Sequence, residues 1–264
     1  AVAYGWRMPF FVIGSIGLLW VGFCYSWFRD FPAQMKAMPA AEKEMIGRSC
    51  RHKDQQHLVP WKLIFRNRTL WPLMLMYFCC QWANYFFVAW MPVYLQEGRG
   101  ISENSMKLIT SLLFIVGIIG FLAGGAAGDW FLKRNGLTKG RRLTGMLGLG
   151  ACGFLLLMAA ISSDNTITAS CLIGANFSFS FGVMVSYAVC ADIGRNNAGT
   201  VTGAMNFFGQ MGAFSLALIF GKIVQVTHHF EYPLYLLAGV LFAGCLLWLA
   251  IDPEKSLPLL ETNT

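Results

Sequence analysis

Gly125-Ala-Ala-Gly-Asp129-Trp-Phe-Leu-Lys133-Arg134-Asn-Gly136-Leu-Thr-Lys139-Gly140-Arg141-Arg142 joins two long apolar runs, 105–127 and 143–161. A glycine at a helix end lets that end approach a neighbour closely. Asp129 lies one helical turn beyond Gly125, so it can cap or pair with that neighbour. The Lys133, Arg134, Lys139, Arg141 and Arg142 cluster, in a short loop broken by Gly136 and Gly140, marks the cytoplasmic side of a membrane crossing. A plain positive-inside loop explains the charges, but not the Gly-x-x-x-Asp spacing.

The rest of the composition agrees with a membrane chain. Of 264 residues, 56% are hydrophobic and 12% charged, against about a quarter charged in a soluble domain. The net charge of +7 lies almost wholly in loops between apolar runs, so topology accounts for it without a nucleic-acid partner. Seven of eight cysteines (24, 79, 80, 152, 171, 190 and 245) fall inside apolar runs and only Cys50 in a polar segment. None has metal-ligand spacing with histidine, so they read as small apolar residues without disulfides. The glycine-rich run 120–128 lies inside a span and lacks the Gly-Lys-Ser/Thr ending of a phosphate loop. No Ser-His-Asp arrangement can be assembled, so neither an enzyme, a cofactor nor a metal is expected. The first residues lack the basic region of a signal peptide, and without an initiator Met the chain reads as cut from something longer.

A crossing helix needs roughly 20 apolar residues, and seven segments qualify: 8–28, 70–95, 105–127, 143–161, 167–190, 199–226 and 232–251. The connector after the first span is basic, with Ala40-Ala-Glu-Lys-Glu-Met as a short amphipathic helix. Together with the 133–142 loop, Arg195 and Lys255 it should share one side, which places the C-terminus in the cytoplasm. Spans 143–161 and 232–251 are apolar nearly all round and should face lipid; span 105–127, with Gly117, Gly120, Gly124 and Gly125, should pack closely.

Polar residues at membrane depth are costly and face a bundle interior or a wet cavity. Gln81, Asn84 and Tyr85 fall on one helix face, as do Asn176, Ser180 and Tyr187, and Gly199, Gly203, Asn206 and Gln210. Three helices each offering an amide or phenol make a hydrogen-bonding cavity. The alternative is interhelical glue. Lys222 falls opposite Asn206 and reads as a snorkelling lysine. His228 and His229 lack the partners of a metal site, and Asp192 can pair with Arg195 across its loop. Pro92 weakens the backbone between Trp90 and Tyr94, which suits an outer gate or a passive kink.

These residues resemble the C-terminal part of a major facilitator superfamily transporter, with the best match to the anion:cation symporter branch. Gly5-Trp6-Arg7-Met8 is similar to the start of that fold's sixth helix. Trp61, Ile64, Phe65, Asn67, Arg68, Leu70 and Trp71 resemble the approach to its seventh, and Gln81-Trp82-Ala-Asn84-Tyr85 with Trp90-Met-Pro92-Val-Tyr94-Leu95 that helix itself. Gly125, Asp129, Arg134, Gly136, Arg141 and Arg142 resemble the second copy of the superfamily's signature loop, a structural and gating motif. The resemblance implies an all-α membrane protein: the last helix of an N-terminal half (1–28), a central cytoplasmic loop (29–69), a six-helix bundle (70–251) and a cytoplasmic tail (252–264).

It further implies a secondary transporter of small organic anions, sugar acids such as hexonates, hexarates or hexuronates, in symport with H⁺ by alternating access in a bacterial inner membrane. Gln81, Asn84, Tyr85, Asn206 and Gln210 would contact substrate. Tyr187 would as well, standing where many members have a Trp. Cys80 stands where the vesicular glutamate branch has an arginine. The family's anion-pairing arginine and proton-carrying acids lie on helices one and four, so the partner would be the missing N-terminal half, and Asp129 would lack its partner at helix five. A drug/H⁺ antiporter of the same superfamily and a seven-helix receptor or sensor are the alternatives.

Overall fold

A computed structural model describes residues 7–29, 39, 66–68 and 70–256. The amphipathic helix expected at 40–45, Cys50, the Trp61, Ile64 and Phe65 positions and the last eight residues lie outside the described residues. The chain divides into two compact units, Ala1–Leu58 and Val59–Thr264. In the first, α1 (Met8–Trp27) is a 20-residue apolar helix with Pro9 in its first turn, where the missing N–H breaks no bond.

The second unit is a bundle of six helices. The first of them, α2 (Leu70–Tyr85), does not stop at Tyr85. It runs on through a π-helical stretch Phe86–Trp90, a three-residue α turn Met91–Val93, and a second π stretch Tyr94–Gly98. Pro92 has no N–H to give the carbonyl four residues back, and the wider turns on both sides absorb the break. Then come α3 (Glu103–Asn135), α4 (Leu137–Ile161), α5 (Asn165–Gly194), α6 (Ala198–Thr227) and α7 (Glu231–Leu247), the last followed by a 3₁₀ turn Trp248–Ala250. Helices α1 and α3 to α7 are each long and apolar enough to cross a membrane, and α2 with its π continuation completes an all-α membrane protein of seven helices.

The basic stretch expected to form a loop is almost entirely helical. Only Gly136 separates α3 from α4, at φ 81°, where a side chain would be strained. A Cβ at Gly140 would sit 2.6 Å from the Leu132 backbone nitrogen, so the turn folds flat on α3.

Glycines also set the packing. Helix α5 lies against α3 on one side and α4 on the other. On the α3 side, a Cβ at Gly120 would stand 2.6 Å from the Phe177 carbonyl, and one at Gly124 would collide with the Phe181 carbonyl. On the α4 side, Gly148 meets Gly182 backbone to backbone. Lipid tails are as apolar as leucine, so this close approach, not hydrophobic burial, holds the helices together. It also corrects the expectation that α4 faces lipid. Half of its apolar window is buried, because Gly145, Gly148 and Gly153 open notches for Trp248, α5 and α7. Helix α3, expected to pack closely, does so along one stripe, Leu113, Gly117, Gly120, Gly124 and Gly128.

At the end of the bundle away from the basic turn, Arg99 ties three helices. Its guanidinium donates to the carbonyls of Ala159 (2.8 Å) and Ser162 at the end of α4, to Thr168 Oγ1 (3.0 Å) in α5, and to the Tyr94 hydroxyl (2.9 Å). A cation is well placed at those C-terminal carbonyls. Next to it, Asp164 caps α5 by accepting from the backbone N–H groups of Ile167 (2.9 Å) and Thr166 (2.7 Å). Those bonds, the Ile167 N–H first, hold its carboxyl below the usual carboxylate range.

Two outcomes test this packing. Gly124→Ala should destabilise the bundle by about 1–3 kcal/mol. Gly125→Ala, where a Cβ meets nothing within 4 Å, should stay within about 0.5 kcal/mol of the parent. Unfolding in detergent distinguishes them. The Asp164 cap is fully present above the ordinary aspartate range and is lost as the pH falls through the lowered folded value. Amide exchange in the first turn of α5 should therefore quicken on acidification, and Asp164→Asn should remove that pH dependence.

Candidate functional site

Tyr77, Phe78, Gln81 and Trp82 form the face of α2 that meets α6. The contact is close because α6 offers glycines there. A Cβ at Gly209 would stand 2.6 Å from the Tyr77 ring and 2.8 Å from Gln81 Cγ, and Gly212 lies against the Phe78 carbonyl. Trp82 Nε1 donates to Ser215 Oγ across the same interface at 2.9 Å.

Around this interface the expected site residues separate. Gln81 is buried against Gly209. Asn84 and Tyr85, one turn further along α2, are half-buried, and Asn206 is half-buried on α6. Gln210 is exposed, on the face that carries Phe207 and Phe214. The side chains of Asn84, Tyr85, Asn206 and Gln210 make no hydrogen bond to any described residue. Tyr187 reaches α2, its hydroxyl 2.7 Å from that of Tyr77, with the rings edge to face. Tyr77 was not among the sequence candidates, although it lies one turn from Gln81 on the same face.

Asn176 and Ser180 do not belong with this group. Asn176 Nδ2 donates to the Leu113 carbonyl of α3 at 2.9 Å, beside Gly117, and Ser180 packs on Gly117 and Gly120. They are glue on the α3 face of α5, the alternative use of a polar residue in a membrane helix.

The basic end forms a second constellation. Asp192 of α5 pairs with Arg141 of α4 (Nε to Oδ2, 3.0 Å), not with Arg195 as expected. Arg195 is exposed, with its backbone at φ 47°. Arg142 donates to the Ile251 carbonyl at 2.7 Å, and Thr138 bonds Glu254 at 3.0 Å, so the chain after α7 is fastened to the α3–α4 turn. Arg134 stacks on Trp130. Asp129 is exposed and has no ion-pair partner among the described residues. Gly125 is not the glycine of close approach. Gly124, one residue and about 100° earlier, meets α5, whereas Gly125 faces a cleft of about 390 Å³ shared with Asp129, Arg141, Tyr187 and Ala188. Lys222 is exposed near the far end of α6, and His229 lies 4.0 Å from Glu231.

Arg141 and Asp192 are both largely screened from solvent, so removing either partner leaves a poorly solvated charge. Arg141→Gln and Asp192→Asn should each destabilise the bundle. A double-mutant cycle should return a coupling of about 1–3 kcal/mol; a value near zero would show that the pair does not hold α4 to α5.

Comparison with known proteins bears on the whole chain. A probable sulfoacetate transporter of Cupriavidus necator is 30% identical over 258 residues, 95% of this chain and 59% of its own length. A probable L-galactonate transporter of Escherichia coli is 27% identical over 263 residues, 95% of this chain and 57% of its own. The hexuronate transporter of Bacillus subtilis is 29% identical over 249 residues, 90% and 56% respectively. The chain thus spans a little over half the length of these relatives. The profile of the Major Facilitator Superfamily matches residues 1–217. With its seven apolar helices and Gly-Asp-Arg turn, the chain belongs to the Major Facilitator Superfamily, a family of transporters and not of enzymes.

Proposed function

We propose that this chain is the C-terminal part of a secondary transporter carrying small organic anions, sugar acids of the hexonate, hexarate or hexuronate type, in symport with H⁺. The observation that carries this reading is the set of amides and a phenol on α2 and α6 that bond no described residue: Asn84, Tyr85, Asn206 and Gln210. Were such a group enclosed in an apolar surrounding without a partner, it would cost about 2–7 kcal/mol. A polyhydroxy acid supplies the donors and acceptors that satisfy them. L-galactonate and hexuronate, named for two of the relatives, are of that chemistry, whereas sulfoacetate, named for a third, is a small organic anion without hydroxyls.

On this reading Gln81, Asn84, Tyr85, Tyr187, Asn206 and Gln210 contact the hydroxyls of the acid. The cation that neutralises its carboxylate and the acid that carries the proton would come from the other half, since none of the described spans holds an acidic or basic residue at mid-length. Residues 1–28 are the last helix of an N-terminal half, 29–69 a central loop, 70–251 the C-terminal bundle and 252–264 a tail. The two halves rock about the site, exposing it to each side in turn. The basic end faces the cytoplasm of a bacterium, with the C-terminus there and the inner membrane as host. The Arg141–Asp192 pair and the Arg142–Ile251 bond keep that end of the C-terminal bundle rigid while it moves.

The test is uptake of a panel of sugar acids by the full-length transporter in vesicles, with and without an inward proton gradient. One acid should be taken up, faster with the gradient. Asn84→Ala and Asn206→Ala, at unchanged expression, should each lower uptake by roughly tenfold or more, the loss of about one hydrogen bond with its partner left unpaired. Full activity in both variants would make these amides packing residues and remove the proposed site.

A further inference from the structure

Tyr77 and Tyr187 share one hydrogen bond, and their burial decides which way it runs. Tyr77 is 3% exposed and Tyr187 40% exposed. The Tyr77 hydroxyl has Tyr187 as its one hydrogen-bond partner among the described residues. A buried hydroxyl that does not donate loses a bond it would make in water. The Tyr77 proton is therefore committed to Tyr187 Oη. A phenol carries one proton, so that of Tyr187 is left for a partner other than Tyr77. Tyr187 lines the cleft with Gly124, Gly125, Asp129, Arg141 and Ala188. In that cleft Arg141 is already engaged by Asp192.

We infer that this phenol pair is an oriented hydrogen-bond donor to the transported acid, with Tyr187 giving its O–H to a hydroxyl or carboxylate oxygen and Tyr77 acting as the positioning residue. The inference rests on the sugar-acid reading above and adds Tyr77 to it. Two features of the packing support the assignment. Tyr77 and Gln81 both lie on Gly209, so the pair is continuous with the amide face. The edge-to-face rings, with centroids 6.1 Å apart, hold Tyr187 against rotation. Donation from Tyr77 into Tyr187 Oη also polarises the outer O–H, which strengthens the bond it gives.

The experiment uses the full-length transporter in proteoliposomes, with Tyr187→Phe, Tyr77→Phe and the double variant, each keeping both rings. KM for the acid should rise about 2–12-fold in Tyr187→Phe, the usual range for one hydrogen bond, and by a smaller factor in Tyr77→Phe. The maximal rate should stay within about twofold. The double variant should be no worse than Tyr187→Phe, because Tyr77 acts only through it. The same set is run on an analogue of the acid with each hydroxyl removed in turn, and one analogue should lose its sensitivity to Tyr187→Phe. An unchanged KM in Tyr187→Phe, or additive losses in the double variant, would overturn the inference while leaving the transporter reading intact. A loss of rate in Tyr77→Phe at constant KM would do the same, by showing a packing role. Absence of uptake of every acid by the parent would overturn the transporter reading, and this inference with it.

Discussion

Helix α5 touches α3 and α4 at backbone distance, and most of what the bundle does follows from that contact. In a bilayer the backbone is satisfied within each helix. Helices therefore gain little by merely meeting, and they must fit. Gly120 and Gly124 let the Phe177 and Phe181 carbonyls close on α3, while Gly148 and Gly182 leave no side chain between α4 and α5. With three backbones held this closely, the rotation of α5 about its own axis is set, and with it the direction of every polar side chain it carries. Asn176 then falls on α3 and Tyr187 on α2.

The same residue type consequently stands in two different settings. Asn176 donates to a backbone carbonyl between helices and is buried. Asn84 and Asn206 are half-buried and bond no described residue. An interhelical bond of the first kind contributes about 0.6 kcal/mol and at most about 1.7 in a membrane. An amide of the second kind is a cost until something polar meets it. The helix face on which an asparagine falls, and not its chemistry, therefore decides whether it is bonded between helices or left without a described partner.

The two ends of the bundle are fastened by different charge chemistry. At one, the guanidinium of Arg99 collects helix-terminal carbonyls and the hydroxyls of Thr168 and Tyr94, with no carboxylate involved. At the other, Arg141 meets Asp192 and Arg142 meets the Ile251 carbonyl. Towards the Arg99 end, α2 is loosened on both sides of Pro92 by π turns. A bundle stiff at both ends with one helix softened near an end can move as a body and still bend locally.

Much of this was legible in the residues alone. The seven apolar segments, the basic residues gathered at one end, and the shared face of Gln81, Asn84 and Tyr85 follow from length, charge and the 3.6-residue period. Each is a property of a single helix. What only the tertiary structure decided is which helix each residue meets: that Asp192 pairs with Arg141 and not Arg195, that Gly124 and not Gly125 makes the close approach, that α4 is half buried, and that Tyr77 holds Tyr187. Such a pairing depends on the relative rotation and depth of two helices distant in sequence, and no periodicity within one of them encodes it.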